Sequence, residues 1–123
     1  MTLLVHGIPN CDSVRRARAW LDEHGVEHRF RDLRAGDDAD GGRLEREELE
    51  RWADACGWQS LMNKRSATFR ALSDEEKRIG ERGAALDLML RYPTLIKRPI
   101  AAHEDGDRVL VGFNESEWEN AFC

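Results

Sequence analysis

The first third of the chain changes its hydrophobic period twice. Residues 2–6 form a short apolar run before a glycine and proline turn, which predicts a buried strand. Apolar positions then recur at helical spacing across residues 10–24, and Asn10 stands where a helix cap is expected. Residues 27–33 alternate but are largely charged, which is typical of an edge strand. Strand, helix and strand at this spacing predict a parallel pair joined by a right-handed crossover.

The middle of the chain is polar at first and then follows a helical period. Residues 35–42 are acidic and glycine-rich, so we expect a surface loop. Residues 43–92 carry apolar positions three and four apart, and Ser73 with Glu76 has the spacing of a capping box. This stretch is therefore predicted to be mostly helical.

The last part of the chain returns to strands. Apolar residues 95–102 and 108–113 flank an Asp-Gly pair, which is the signal of a hairpin with antiparallel strands. Residues 115–122 predict a short closing helix, in which Trp118 and Phe122 share one packed face.

The order of these elements is that of a thioredoxin-like fold. Strand, helix and strand are followed by a helical insert at about 43–92 and then by the hairpin and the last helix. We therefore predict a single α/β domain over residues 1–123, with a mixed sheet of about four strands.

Composition and charge narrow the classes of function. The chain has 19 Lys and Arg against 24 Asp and Glu, and this net charge of −5 argues against direct nucleic-acid binding. Arginine supplies 16 of the 19 cations; its guanidinium can present two donors to a carboxylate or another oxyanion. Basic charge is concentrated in residues 10–34 and 61–100, whereas residues 35–60 and 101–123 each have a net charge of −5. The arginine excess is explained either by general composition and a solvated face or by an anion site.

Cysteine and histidine usage indicates the compartment and the metal content. Cys11, Cys56 and Cys123 are odd in number and far apart, which indicates a reducing compartment rather than a disulfide scaffold. The first residues lack the pattern of a signal peptide or a membrane span, so we expect a cytoplasmic protein that does not contact membranes.

We also expect a monomer. The four histidines show no metal-ligand spacing, so we predict no metal site and expect them to be solvated or to cap backbone groups.

Cys11 has the clearest candidate chemistry. It stands between the first predicted strand and the first predicted helix, where unpaired N–H groups and the helix dipole stabilise a thiolate. Arg15 lies one helical turn further on. A thiolate at neutral pH is a usable nucleophile. The alternative is a small buried side chain that happens to lie at a helix start.

A disulfide formed at Cys11 would need a second thiol from elsewhere. The position three residues later is Val14, so there is no CxxC motif. The resolving thiol would come from a small molecule such as glutathione, from a partner protein or from a distant cysteine. Cys56 lies on the apolar stripe of its predicted helix and is expected to be structural, and Cys123, the last residue, is expected to have no role.

Three sequence motifs along the chain, taken in order, resemble the motifs of one protein family. They are Gly-Ile-Pro-Asn-Cys-Asp-Ser at 7–13, Gly-Trp-Gln-Ser-Leu-Met-Asn-Lys-Arg-Ser-Ala-Thr-Phe-Arg-Ala-Leu at 57–72, and Leu-Ile-Lys-Arg-Pro-Ile at 95–100. In this order they resemble the ArsC-like arsenate reductase family, in the branch that contains YffB and the transcriptional regulator Spx, and they look closest to YffB. The resemblance implies a thioredoxin-like fold with Cys11 as the reactive thiol and Pro99 as a cis-proline that faces it. It also implies that Arg98 and Arg65 face an oxyanion or the thiol.

The candidate site includes three more residues around the cysteine. Asn10 and Asp12 are expected to shape the loop through hydrogen bonds. Arg15 is expected to stabilise the thiolate and an anionic ligand, together with Arg65 and Arg98. We expect no bound cofactor, and glutathione would act as a co-substrate.

Departures from the family pattern bear on the activity. Arsenate reductases of the family have a further arginine near the end of the chain, where this sequence has Gly112, and the Spx pattern commonly has the CxxC motif that Val14 breaks. The resemblance therefore implies a thiol oxidoreductase that uses one cysteine and reacts with glutathione or another oxidised thiol substrate. Two alternatives stay open. One is an Spx-like regulator that binds RNA polymerase without turnover, and the other is arsenate reduction proper.

Overall fold

A computed structural model describes residues 3–40, 42–103 and 108–123 of the chain. In chain order its elements are β1 (Leu3–Gly7), α1 (Asp12–Glu23), β2 (His28–Asp32), α2 (Arg46–Cys56), α3 (Trp58–Leu61), α4 (Ala67–Arg70), α5 (Asp74–Lys77), α6 (Arg82–Arg91), β3 (Ile100–His103), β4 (Val109–Val111) and α7 (Glu115–Phe122). The chain forms two compact units. The sheet unit, Met1–Arg43 with Arg98–Cys123, contains the four strands with α1 and α7, and the helical unit, Leu44–Lys97, contains α2 to α6.

The four strands form one mixed sheet in the order β2-β1-β3-β4. β1 is parallel to β2, with Val5 opposite Phe30, and antiparallel to β3, with Val5 opposite Ala101. β3 and β4 are antiparallel neighbours. These pairings confirm the predicted mixed sheet, the parallel pair joined through α1 and the edge position of β2. The predicted hairpin turn at 104–107 lies outside the described residues.

α1 packs against the sheet through one apolar face. Its inward positions recur three and four residues apart, as the hydrophobic period predicts. The buried cluster of the sheet unit consists of Leu3, Val5, Ala17, Trp20, Leu21, Ala101 and Trp118. Trp118 also contacts the rings of Phe113 and Phe122 edge-on, so the predicted packed face of α7 is confirmed. Each large apolar side chain buried in this way stabilises the fold by roughly 1.5–3 kcal/mol.

α1 begins two residues later than the hydrophobic pattern predicts. Cys11 is its N-cap residue, in an extended conformation, and its side chain makes no capping hydrogen bond. The amide oxygen of Asn10 accepts a hydrogen bond from Arg34 instead, so the prediction that Asn10 caps this helix is wrong. A side chain reaches the free N–H groups of the first turn when it stands at the cap position itself. Asn10 lies one residue before that position, which Cys11 occupies.

The helical unit confirms that residues 43–92 are mostly helical. α2 buries one apolar stripe and ends at Gly57, whose φ of +82° favours glycine. At the start of α5 the Ser73 hydroxyl accepts the Glu76 N–H at 3.1 Å, and the Glu76 carboxylate accepts the Ser73 N–H at 3.0 Å. This is the predicted capping box. Within the described ranges, no helix is both long and apolar enough to cross a membrane.

The strand predicted over residues 95–102 begins later, at Ile100. Leu95 and Ile96 are fully buried within the helical unit, where Ile96 forms an isolated antiparallel bridge with Met62. The apolar run therefore contributes to two hydrophobic cores in succession. An apolar run alone does not reveal where the chain passes from one core to the next, which explains the error.

Candidate active site

Cys11 lies at the junction between β1 and α1. Residues 8–10 follow the strand, and Cys11 is a half-buried free thiol at the N-cap of α1, where its carbonyl accepts the Arg15 N–H at 3.0 Å. The first N–H groups of a helix have no partner within the helix, and its dipole is positive at this end. Cys11 therefore stands at the positive end of α1, a place that reactive cysteines commonly occupy in proteins.

Gly7 brings the end of β1 into direct contact with the first turn of α1. A Cβ atom at Gly7 would lie 2.6 Å from Cγ2 of Val14, and Val14 is fully buried. The two chain segments can approach this closely only because residue 7 has no side chain. The contact fixes the direction in which α1 leaves the sheet and, with it, the place of Cys11.

Asp12 and Arg15 form an ion pair on the outer side of the first turn. Nη1 of Arg15 donates to Oδ1 of Asp12 at 2.8 Å, and both side chains are exposed. Pairs of this spacing on a helix surface contribute only about 0.2–0.5 kcal/mol. The Arg15 charge is thus partly offset by its own neighbour, and its role toward the thiolate stays a prediction.

Asn10 is joined to the segment that follows β2. The N–H of Leu33 donates to the carbonyl of Gly7 at 2.8 Å and extends the parallel ladder by one bond. Oδ1 of Asp32 accepts the backbone N–H of Arg34 at 2.9 Å, and Nη2 of Arg34 donates to Oδ1 of Asn10 at 3.5 Å. Sequence reasoning missed Arg34. Its signal was its position directly after a strand predicted to be parallel to β1, because the carboxyl ends of parallel strands meet at one edge.

Arg98 and Pro99 precede β3 at the end of the sheet where β1 ends. The peptide bond between them is cis, the isomer that the resemblance implies. Ile100 pairs with His6 near the end of β1, and the carbonyl of Pro99 accepts the Gly112 N–H at 2.8 Å. These bonds hold the two residues next to the strand from which the cysteine loop leaves. Contact between Pro99 and the reactive thiol stays a prediction.

Gly112 stands where the family's arsenate reductases have a further arginine, and its backbone conformation favours glycine. Its φ is +76°, which L side chains rarely adopt. Its N–H donates to Pro99, and its carbonyl accepts Nε1–H of Trp118 at 3.1 Å. An arginine here would strain the segment that ties the end of β4 to Pro99 and to α7.

Arg65 belongs to the helical unit, between α3 and α4. Its backbone N–H donates to Oδ1 of Asn63 at 3.0 Å, and the N–H of Asn63 donates to the carbonyl of Leu95 at 2.9 Å. The turn is thereby held by its own hydrogen bonds, and the Arg65 side chain is exposed. Its part in anion binding stays a prediction.

His6 and Arg31 form a buried polar pair. They lie opposite one another in the parallel register of β1 and β2 and are 1% and 2% exposed. Nη1 of Arg31 lies 3.4 Å from Nδ1 of His6. Nε of Arg31 donates to the carbonyl of Gly42 at 3.0 Å. Burial and, second, the Arg31 charge lower the pKa of His6 to about 3. The expectation of solvated or capping histidines is wrong for His6, whereas His24 and His28 do bond to backbone oxygens.

The other two cysteines have different surroundings. Sγ of Cys56 donates to the carbonyl of Trp52 at 3.0 Å, and burial raises the pKa of this thiol. Cys123 is exposed at the end of α7. Across residues 3–40, 42–103 and 108–123, no cluster of His, Cys, Asp and Glu side chains is arranged to hold a metal ion.

A four-stranded mixed sheet, a cysteine at the start of the first helix and a cis-proline before β3 define a thioredoxin-like protein. The model of the ArsC family matches residues 6–121. The chain therefore belongs to the ArsC family.

Individual relatives place the chain in the YffB/Spx branch of that family. An uncharacterized protein of Haemophilus influenzae is 42% identical over 121 residues, which cover 98% of this chain and 99% of that protein. The global transcriptional regulator Spx of Streptococcus pyogenes is 32% identical over 111 residues, which cover 89% of this chain and 76% of Spx. The solved structure of a YffB protein superposes with a TM-score of 0.87 at 38% identity and covers 99% of this chain and 100% of its own.

Proposed function

We propose that the protein is a glutathione-dependent thiol oxidoreductase in which Cys11 is the only nucleophile. The observation that carries the proposal is the place of Cys11, a half-buried free thiol at the N-cap of α1. Reactive cysteines are commonly found at helix N-termini, and the thiolate is the form that attacks disulfides. The reaction needs a glutathione pool, and a cytoplasmic location would supply one.

The proposed reaction passes through one mixed disulfide. The Cys11 thiolate attacks the glutathione sulfur of a glutathionylated substrate; the new S–S bond forms as the old one breaks, and the substrate leaves as a thiolate. The thiolate of a second glutathione then attacks the glutathione sulfur bound to Cys11. This step releases the Cys11 thiolate and oxidised glutathione. No second cysteine of the chain takes part, in keeping with Val14 at the position of a resolving cysteine.

Polar and basic residues would shape the Cys11 loop and stabilise both the thiolate and an anionic substrate. The residues that we assign to these roles are Asn10, Asp12, Arg15, Arg65 and Arg98, with Pro99 as the structural cis-proline that positions the partner strand. The contact of Asn10 with the segment after β2 supports its part in shaping the loop, since its amide oxygen accepts from Arg34 at 3.5 Å.

Replacement of Cys11 by serine tests the proposal. In an assay that couples glutathione, glutathione reductase and a glutathionylated peptide, Cys11→Ser should lower turnover to the uncatalysed rate, because a serine hydroxyl is not ionised at neutral pH. Cys123→Ser is the matched control and should keep the wild-type rate, since Cys123 is exposed at the end of α7. Wild-type turnover by a folded Cys11→Ser variant would contradict the proposal.

A regulator that acts by binding RNA polymerase, without turnover, is the second candidate. The 32% identity with Spx favours it. Binding of purified RNA polymerase by a wild-type protein that lacks turnover would support this candidate over the first. Arsenate-dependent oxidation of glutathione would indicate arsenate reduction, and Gly112 in place of the further arginine leads us to expect little of it.

A further inference from the structure

We infer that Arg34 selects anions at the Cys11 site. The site would then prefer thiol substrates that carry a carboxylate. The inference rests on the proposed function and adds a residue and a substrate class to it. Arg34 lies outside the three motifs at 7–13, 57–72 and 95–100 that carry the family resemblance.

The sheet brings Arg34 to the cysteine loop. β1 and β2 are parallel, so the chain leaves both strands at the same edge of the sheet. The ladder continues through the bond from Leu33 to Gly7, which fixes the first residues after β2 against the start of the loop. Arg34 then reaches Asn10, the residue directly before Cys11, with one hydrogen bond of 3.5 Å.

Arg34 forms one long ion pair, in which Nε lies 3.9 Å from Oδ1 of Asp32, so its positive charge is partly offset without a direct side-chain hydrogen bond to that carboxylate. Its guanidinium bonds to the neutral amide of Asn10. Oδ1 of Asp32 is occupied by the Arg34 backbone N–H at 2.9 Å and lies 3.9 Å from Nε, beyond hydrogen-bond distance. The side chain is 47% exposed. A guanidinium has five N–H donors, so donors are available to a ligand at this place.

Two other arginines of the sheet unit, Arg15 and Arg43, are bonded directly to acids. Arg15 donates to Asp12 at 2.8 Å, and Arg43 donates to Asp37 at 3.2 Å. A ligand carboxylate would have to compete with these directly bonded acids, whereas at Arg34 it would meet the amide of Asn10 and the more distant carboxylate of Asp32. Among Arg15, Arg34 and Arg43, Arg34 is therefore the arginine best able to meet an incoming anion beside Cys11.

Two alkylating reagents that differ in charge test this inference without any turnover. Iodoacetate is an anion and iodoacetamide is neutral; with both, the Cys11 thiolate attacks the methylene carbon and iodide leaves. The ratio of the two rates at Cys11 reports attraction of the carboxylate, because a change in thiolate reactivity alters both rates alike. Trypsin separates Cys11, Cys56 and Cys123 into three peptides, so mass spectrometry measures each thiol independently.

Arg34→Gln removes the charge and keeps an amide donor. We expect the iodoacetate-to-iodoacetamide ratio at Cys11 to fall roughly two- to fivefold, the range of exposed charge pairs. Arg34→Lys should keep most of the wild-type ratio, and high salt should lower the wild-type ratio. Arg43→Gln, which removes an exposed arginine of the same unit, should leave the ratio unchanged.

An unchanged ratio in Arg34→Gln would overturn the inference. So would equal loss of both rates, which would make Arg34 a structural support of the loop, or an equal fall of the ratio in Arg43→Gln. Failure of the proposed function is a separate result: it would appear as absent glutathione turnover, whatever the alkylation ratio is.

Discussion

His6 and Arg31 lie opposite one another near the ends of β1 and β2, and both are buried. Burial of a guanidinium costs free energy unless polar groups compensate it. His6 and the carbonyl of Gly42 provide such groups for Arg31. An imidazolium would repel the guanidinium across the 3.4 Å between Nη1 and Nδ1, so the pair is compatible only with an unprotonated His6.

The free energy of unfolding should decrease as the pH falls from 7 to 5. The pKa of His6 is about 3 in the folded protein against 6.5 for an ordinary histidine, so in this interval the unfolded chain binds a proton that the folded chain does not. The loss from this residue should be about 2 kcal/mol. Urea denaturation at the two pH values measures it.

Glutamine at position 6 separates this effect from other titrations. In His6→Gln the decrease between pH 7 and pH 5 should be smaller by that amount, whatever the stability of the variant at pH 7. His24→Gln is the control, since it replaces an exposed histidine that lies outside the buried pair. If His6→Gln kept the wild-type pH dependence, the buried pair would not be its cause.

The location of Cys11 at the start of a helix could be predicted from the sequence, whereas the burial of His6 could not. A cysteine between a strand pattern and a helix pattern has its location defined by the sequence on both sides. His6 ends an apolar run and Arg31 lies within a charged alternation, and both positions are typical of solvent-facing residues. Their burial depends on the pairing of β1 with β2 and on the return of the chain to Gly42, which is tertiary information.

The contact between β1 and α1 determines how the active-site loop is held at the scale of elements. Gly7→Ala should destabilise the protein by about 1–3 kcal/mol, because its Cβ would meet Cγ2 of buried Val14. Val14 is β-branched and has little freedom to turn aside. Val14→Ala removes the obstructing atom.

A double-mutant cycle measures this contact. The variant with both alanines should be more stable than the sum of the two single changes predicts, by roughly 0.5–3 kcal/mol. Additive effects in urea denaturation would show that Gly7 and Val14 do not limit the approach of α1 to β1.

The bounds of an element could be predicted more closely where its apolar residues all belong to one unit than where an apolar run passes along the chain from one unit to the next. The closing helix occupies residues 115–122 as its pattern predicts, since Trp118 and Phe122 pack on one cluster. The strand predicted from residue 95 starts at Ile100, because Leu95 and Ile96 are buried in the helical unit.

Charge is unevenly distributed over the whole molecule. The net charge of −5 includes two acidic segments, 35–60 and 101–123, while residues 10–34 and 61–100 are net basic. The basic segments carry Cys11, Arg34, Arg65 and Arg98 in sequence. The total charge therefore argues against nucleic-acid binding but is compatible with an anionic thiol substrate.

Transfer of glutathione to Cys11 is the step on which the proposed function depends. The direct measurement is acid quenching of the protein within one turnover of a glutathionylated peptide, followed by mass spectrometry of the three cysteine peptides. The predicted result is one glutathionyl group on Cys11, absent from Cys56 and Cys123, that disappears when free glutathione is added and yields oxidised glutathione. An unmodified Cys11 while the substrate is consumed, or glutathione on Cys123 instead, would contradict the proposed function.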